Sequence, residues 1–320
     1  MKKWIWALCF LSPFAVAKPT FEEYVAQLKD EAVSKGYEAE FVSNAFEGIE
    51  FYQRSVKADK NQPEFKMTLD RYLKSRVPDW KVQKAVKLYQ ENKPLLDKIE
   101  AEYGVQGRFV VALWGNESNF GQFMGKFPVL SSLATLAYEG RREALFKKQL
   151  FAALEILHQG HIDKAHFVGS WAGAMGQSQF MPTSFLAYAQ DFDGDGKKDI
   201  WGNKQDVFAS IANYLKTEGW NNQLTWGRQV QIPEGFDIKL AGLEKDKMRN
   251  LSEWQALGVR RYDGSDLPAN EIKASLIMPD DEKGRIYLVY ENYHTLMHWN
   301  RSTYFGTAVG YMSDRIRKGG

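Results

Sequence analysis

The 320-residue chain has one cysteine, Cys9, and it lies near the N-terminus within a leader-like stretch. Without another thiol, disulfides, thiolate metal sites and a cysteine nucleophile are excluded. No apolar run reaches the roughly 20 residues that span a bilayer. Charge of either sign is not in excess: with Lys2 and Lys3 set aside, 40 basic residues face 40 acidic ones. A balanced chain without basic clusters gives no reason to expect a nucleic-acid partner. Also missing are a glycine-rich phosphate loop, a G-x-S-x-G elbow and an H-E-x-x-H pair. The five histidines (His158, His161, His166, His294 and His298) form no convincing ligand set. His158 and His161 share helical spacing, but a glycine intervenes, and surface or core positions are the better reading.

The first seventeen residues read as a secretory leader. Lys2-Lys3 are a basic start, Trp4 to Phe14 an apolar stretch, and Ala15-Val16-Ala17 a small-residue cleavage site. Leu8 is bulky where a lipoprotein signal needs a small residue before its cysteine. The expected product is an exported, unlipidated chain beginning at Lys18, in the periplasm.

The remainder is long enough for one large domain or two. From Thr20 to Ala101 the pattern is helical. Thr20 can cap a helix with Glu22 and Glu23 in its first turn, above an apolar stripe of Phe21, Tyr24, Val25 and Leu28. A second helix is expected over Glu38 to Phe46. Gln62 to Phe65 reads as a turn, and Pro78 and Pro94 each open a helix. Helices continue through Ser132 to Tyr138, Arg142 to His158 and Val207 to Trp220. Residues 226 to 290 change character. Arg228–Ile232, Phe236–Leu240, Ile272–Met278 and Arg285–Tyr290 alternate or are rich in β-formers. Tyr293 to Met312 reads as one closing helix. The fold class is therefore α+β and mainly helical. Its expected parts are a helical layer at 18–100, a core at 101–225, a small β-rich insertion at 226–290, and a C-terminal helix at 291–320 that completes the core.

Glu117 is one acid in the apolar run from Phe109 to Gly121. Leu113 lies four residues before it and Val110 three before that, so all share a helical face. The carboxyl points where the apolar stripe points, and burial there keeps it protonated near neutral pH. Gly115, Ser118, Asn119 and Gly121 end the helix nearby, leaving Glu117 at its end. That suits a general acid. The competing reading is a half-exposed glutamate on a short helix.

Two further stretches stand out. Ser170-Trp-Ala-Gly-Ala-Met-Gly-Gln-Ser-Gln-Phe-Met-Pro182 puts small residues beside Gln177, Ser178 and Gln179, whose amides and hydroxyl suit sugar hydroxyls and acetamido groups. Close helix packing is the alternative. Asp191, Asp193, Asp195 and Asp199 occupy positions 1, 3, 5 and 9 of an EF-hand loop, with Gly196 at the sharp turn. The Lys197 carbonyl can serve position 7. Gly202 replaces the closing Glu, and Asp206 could close a longer loop. Such acids call for a hard cation, and a structural role is expected because the ligands leave little room for substrate. No second carboxylate is left over for ordinary two-acid glycoside hydrolysis.

Taken together, these blocks resemble a known family. Glu117-Ser-Asn-Phe-Gly121 resembles the catalytic stretch of lysozyme-like lytic transglycosylases. Ser170 to Pro182, Asp191-Phe-Asp-Gly-Asp-Gly196, Ala212-Asn-Tyr214 and Asn300-Arg-Ser302 resemble the lytic murein transglycosylase B family along essentially the whole mature chain. The resemblance implies a lysozyme-like core. It implies cleavage of the β-1,4 bond between N-acetylmuramic acid and N-acetylglucosamine in peptidoglycan, with a 1,6-anhydro product. Glu117 would be acid, then base. Ser170 and Gln179 would contact sugar, and Phe180, Tyr214 and Asn300 would line the cleft. Trp299 would join them, and Tyr138, Arg141 and Arg142 would bind saccharide or peptide stem. Asp191, Asp193, Asp195, Lys197, Asp199 and Asp206 would hold calcium or sodium. Glycan strands are the implied partner, with other cell-wall enzymes as further candidates. Trp299 and Phe305 stand where tyrosines are expected, which keeps ring stacking and removes any hydroxyl hydrogen bond. A hydrolytic muramidase of the same fold, or a non-catalytic calcium-stabilised peptidoglycan-binding protein, are the other readings.

Overall fold

The structure, a computed structural model, describes residues 18–60 and 67–320. The leader and the turn read at Gln62 to Phe65 lie outside the described residues. Six helices come first: α1 (Phe21–Ser34), α2 (Ala39–Phe46), α3 (Gln53–Lys60), α4 (Leu69–Arg76), α5 (Asp79–Glu91) and α6 (Lys93–Tyr103). Thr20 caps α1 through a reciprocal pair: its hydroxyl accepts from the Glu23 N–H, and the Glu23 carboxylate accepts from the Thr20 N–H. Gly104, left-handed at φ +69°, ends α6.

Next is α7 (Gly107–Ser118). Gly107, the run Phe109 to Gly115, and Ser118 are all buried, so this helix is apolar nearly all round. It is the axle of the main core, packed against α5, α6, α11 and α14. The chain continues through β1 (Phe127–Pro128), α8 (Val129–Glu139), α9 (Glu143–His158), β2 (Val168–Gly169), α10 (Pro182–Tyr188) and α11 (Lys204–Thr217). It then forms β3 (Gly227–Gln231), β4 (Arg249–Asn250), α12 (Leu251–Ala256), β5 (Arg260–Arg261), β6 (Lys273–Ile277) and β7 (Ile286–Val289). Helices α13 (Glu291–Trp299) and α14 (Thr303–Lys318) close it.

β1 and β2 make a two-stranded antiparallel ribbon. The larger sheet runs β4-β6-β7-β3-β5, all antiparallel, with Leu276 opposite Leu288 and Val230 opposite Ile286. Its pleat divides the side chains cleanly. Ile277, Tyr287 and Val289 enter the main core, while Ala274, Leu276, Ile286 and Leu288 enter a second core around Trp254 and Leu251. That explains why β7 reads as an unbroken apolar run rather than an alternating one.

Two sequence expectations fail locally. Phe236–Leu240 is not a strand; it contains a 3₁₀ turn at Ile238–Leu240, because the Asp237 carboxylate accepts from the Lys239 N–H and stabilises a turn instead. The closing region is two helices rather than one. Asn300 is extended, its Oδ1 accepts from the Ser302 N–H, and Ser302 then caps α14 at Phe305. No helix among the described residues is long and apolar enough to cross a membrane.

Candidate active site

The end of α7 is unusual backbone. Asn119 and Phe120 have φ of +51° and +61°, and Gln179 has +52°; these are the positive-φ residues other than glycine among those described. Left-handed conformations are costly for such side chains and collect at functional sites. Ser118 fixes this turn: its hydroxyl donates to the Trp114 carbonyl at 3.2 Å and accepts from the Gly121 N–H at 2.9 Å. The turn stops α7 one residue past Glu117, which is only partly exposed.

Trp299, the last residue of α13, reaches this acid. Its indole Nε1–H donates to Glu117 Oε1 at 2.6 Å. Burial pushes the Glu117 carboxyl up from the ordinary 4.5 to about 7, against the pull of the indole, which favours the ionised form. Where a tryptophan in place of a tyrosine is expected to cost a hydroxyl hydrogen bond, the indole N–H makes a hydrogen bond of its own.

Behind Trp299 lies an aromatic wall. Its ring centroid is 5.3 Å from that of Phe180 and 4.6 Å from that of Tyr214, and Tyr214 meets Tyr188 at 4.4 Å. Phe180 and Tyr214 are buried. They back Trp299 rather than offering open faces, while Trp299 and Tyr188 are the half-exposed members of the wall. Asn300 follows it and is exposed.

Ser170 and Gln179 come to the same place through backbone. Met175 forms bridges with both Gly169 and Phe180, which folds 169–180 back on itself. The Ser170 hydroxyl accepts from the Ala174 N–H at 3.0 Å. Gln179 donates through Nε2 to the carbonyls of Gly176, at 2.8 Å, and Met124, at 3.3 Å, on the loop that follows Glu117. That loop approaches so closely that a Cβ on Gly125 would sit 1.9 Å from the Gly169 carbonyl oxygen. Gln177 and Ser178, read as sugar-facing, are buried instead. Gln177 Oε1 accepts from the Trp114 indole at 2.7 Å, and its Nε2 donates to the Trp201 carbonyl at 2.7 Å.

Tyr138, Arg141 and Arg142 gather elsewhere. The Tyr138 hydroxyl donates to the Pro19 carbonyl at 2.8 Å, and its ring meets Phe21 at 5.5 Å. Arg141 donates to the Asp59 carboxylate at 2.6 and 2.9 Å, and Arg142 bonds the other oxygen of the same buried carboxylate. Two residues that sequence reasoning missed belong to the surroundings of this site. Tyr188 extends the aromatic wall. Tyr72 of α4 is held up chiefly by burial, and the charge of Glu117 adds to the effect. Neither stands in a motif that could have signalled it. Phe305 is a buried core residue.

The acidic loop brings Asp191, Asp193 and Asp206 together, each offering a carboxylate oxygen within 4.8 Å of the others. Asp206, buried in the first turn of α11, is pushed up to about 6, mainly by burial, with the charges of Asp193 and Asp191 adding. No lysine or arginine pairs with these acids among the described residues. A set of crowded oxygen donors with no counter-charge fits a hard cation. Asp195 and Asp199 lie outside this triad and accept backbone N–H groups, from Lys197 at 2.8 Å and from Trp201 and Gly202 at 2.9 and 2.8 Å, while the triad itself accepts others, among them Gly194 and Gly196 on Asp191 and Phe192 and Asp199 on Asp206. They shape the loop.

The chain matches the transglycosylase SLT domain model over residues 20–314. It is 32% identical over 253 residues to the membrane-bound lytic murein transglycosylase B of Escherichia coli, covering 77% of this chain and 66% of that protein, slightly less than two thirds of the relative's length. The crystal structure of SltB3 from Pseudomonas aeruginosa in complex with NAG-NAM-pentapeptide is similar at TM-score 0.89 and 41% identity, over 93% of this chain and 79% of that one. The Escherichia coli lytic transglycosylase Slt35 in complex with calcium is similar at TM-score 0.79 and 28% identity, over 92% and 93% of the two chains. With the family model spanning nearly all of the described residues, the chain belongs to the transglycosylase SLT domain family.

Proposed function

We propose that this protein is a peptidoglycan lytic transglycosylase that cleaves the β-1,4 bond between N-acetylmuramic acid and N-acetylglucosamine and leaves a 1,6-anhydro end. The observation that carries the reading is Glu117: a carboxyl at a strained helix end, raised to about 7 by burial and held by one indole N–H. Burial raises it, that hydrogen bond opposes the rise, and no second carboxylate is among the causes. A lone acid suits a reaction in which one group works twice.

In the first step the Glu117 proton passes to the leaving glycosidic oxygen, which keeps the electron pair of the broken C1–O bond. The substrate's own acetamido oxygen bonds to C1 and stabilises the cationic centre. The carboxylate then takes the proton of the C6 hydroxyl, whose oxygen attacks C1 and displaces the acetamido group. Glu117 ends protonated, and no water is consumed. Ser170, Gln179 and Asn300 are the polar groups proposed to contact sugar. The relative bound to NAG-NAM-pentapeptide supports a glycan-strand substrate.

Asp191, Asp193 and Asp206, with the loop held by Asp195, Lys197 and Asp199, are proposed to bind calcium, as supported by the calcium complex of the Escherichia coli relative. Bound there, a cation would neutralise the carboxylates and fasten the loop to α11. Export to the periplasm by the 1–17 leader, and recruitment by other cell-wall enzymes, complete the proposal.

Digestion of purified sacculi followed by mass spectrometry of the released muropeptides tests this reading. Anhydro ends are expected. Reducing ends that have gained water would identify a hydrolytic muramidase instead. Glu117→Gln keeps the shape and loses the titrating proton, so it should abolish release while the protein stays folded. Binding of sacculi without release by wild type and variant alike would leave only a binding protein.

A further inference from the structure

The two oxygens of Glu117 are not equivalent. Oε1 receives the Trp299 indole N–H at 2.6 Å, and an indole nitrogen can only donate. The oxygen that accepts this bond is best kept as the carbonyl-like one, which leaves Oε2 to carry the proton.

We infer that Trp299 is a positioning residue that reserves Glu117 Oε1 as an acceptor and assigns Oε2 as the oxygen that gives and later takes the proton. The inference rests on the transglycosylase reading of Glu117 and adds a role that ring stacking on sugar does not require. The geometry supports it from three sides. The indole is the last side chain of α13, immediately before the extended Asn300, so its backbone is fixed by the break between α13 and α14. Its ring is wedged against Phe180 and Tyr214, both buried, which limits rotation away from the acid. And α7 cannot retreat, because Ser118 locks the turn behind Glu117.

The consequence is chemical. When Glu117 gives up its proton, the same N–H becomes a hydrogen bond to a charged acceptor and strengthens. Trp299 therefore stabilises the carboxylate that exists between the two steps. It makes the first proton transfer easier and the carboxylate a slightly weaker base for the second. The titratable and charged groups around this pair are Tyr72 from α4, whose ionisation feels Glu117 and, more strongly, the Arg76 guanidinium, and Tyr214 from α11, across the indole ring.

Trp299→Phe keeps an aromatic ring and removes the donor. Measured on sacculi or a soluble glycan, it should lower kcat about tenfold at pH 6 and move the alkaline limb of the kcat profile up by about one pH unit, with KM changed little. Trp299→Tyr, which restores an O–H donor, should recover part of both effects. An unmoved pH profile in a folded Trp299→Phe, or equal loss by Phe and Tyr variants, overturns the inference. If the Phe variant does not fold, the wild type answers alone. One indole N–H resonance should shift downfield as Glu117 ionises, and this titration should be absent in Glu117→Gln. No titrating indole in the wild type also overturns it. Failure of the underlying reading looks different: there Glu117→Gln itself stays active.

Discussion

Trp114 and Gln177 meet in the core just behind the turn that ends α7: the indole N–H donates to Gln177 Oε1 at 2.7 Å, and the amide passes the link on to the Trp201 carbonyl at 2.7 Å. Three segments are tied by one side chain. They are the last turns of α7, the small-residue stretch at 170–182, and the end of the acidic loop. Gly121 packs onto the same amide, with φ +81° and room for no side chain: a Cβ there would lie 2.5 Å from Gln177 Oε1.

Gln177→Leu therefore leaves a buried N–H and a buried carbonyl without partners. Each such orphan costs about 1–3 kcal/mol, so a loss of about 2–6 kcal/mol is expected, against less than about 1 kcal/mol for an ordinary surface substitution. Urea unfolding measures it. A variant as stable as wild type would mean the amide is not the tie described.

Calcium should stabilise the fold by binding only the folded state. At a hundredfold excess over Kd the gain is about 3 kcal/mol, read as a rise in Tm of chelator-treated protein. Asp193→Asn should abolish most of that rise while changing the melting of the metal-free protein little, because Asp193 is exposed. Equal calcium-induced shifts in wild type and variant would remove Asp193 from the ligand set.

Glu117 should also leave a mark on stability. Its carboxyl value is raised from 4.5 to about 7 in the folded state. Below the lower value both states are protonated and nothing is lost. As pH climbs from there the unfolded chain ionises first, and stability falls until the folded carboxyl follows at about 7. Above that the loss is complete, at most about 3 kcal/mol, less whatever solvent access returns. Glu117→Gln cannot ionise and can still accept the indole N–H. It should match wild type at pH 4 and be more stable at pH 8. A stability difference independent of pH between 4 and 8 would show that the carboxyl is not raised.

Much of this was legible in the chain. The acid in an apolar run, the helix stop behind it and the Asp spacing are all local signals. They correctly marked the end of α7 and brought Asp191 and Asp193 into one loop. What escaped was set by distance in sequence. Gln177 looked like a sugar ligand because nothing nearby shows that its partners are a remote indole and a remote carbonyl. Trp299 looked like a stacking platform, since its bond to Glu117 spans 182 positions. Phe236–Leu240 alternates like a strand, yet one Asx turn at Asp237 was enough to curl it.

Arg141 and Arg142 pose the sharpest choice between ligand binding and architecture. Their resemblance-based role is to bind saccharide or peptide stem, yet both already serve one buried carboxylate. Asp59 is 6% exposed, and it bonds Arg141 through two nitrogens and Arg142 through its other oxygen. A buried carboxylate that loses a cationic partner is penalised by about 3–5 kcal/mol when the charge is left uncompensated. With two arginines present, loss of one should cost less, about 1–3 kcal/mol. If the pair is architectural, Arg141→Ala should lower stability by that amount and leave KM for muropeptides unchanged. The loss should shrink in an Asp59→Asn background, where no charge remains to be compensated. If the arginines hold substrate, the signature reverses. KM would rise for stem-bearing fragments more than for bare glycan, and Asp59→Asn would not blunt the effect. The half-exposed guanidiniums, 55% for Arg141 and 39% for Arg142, leave donors on the solvent side. The crossed measurement of stability and KM in the single and double variants is therefore the one that separates the two roles.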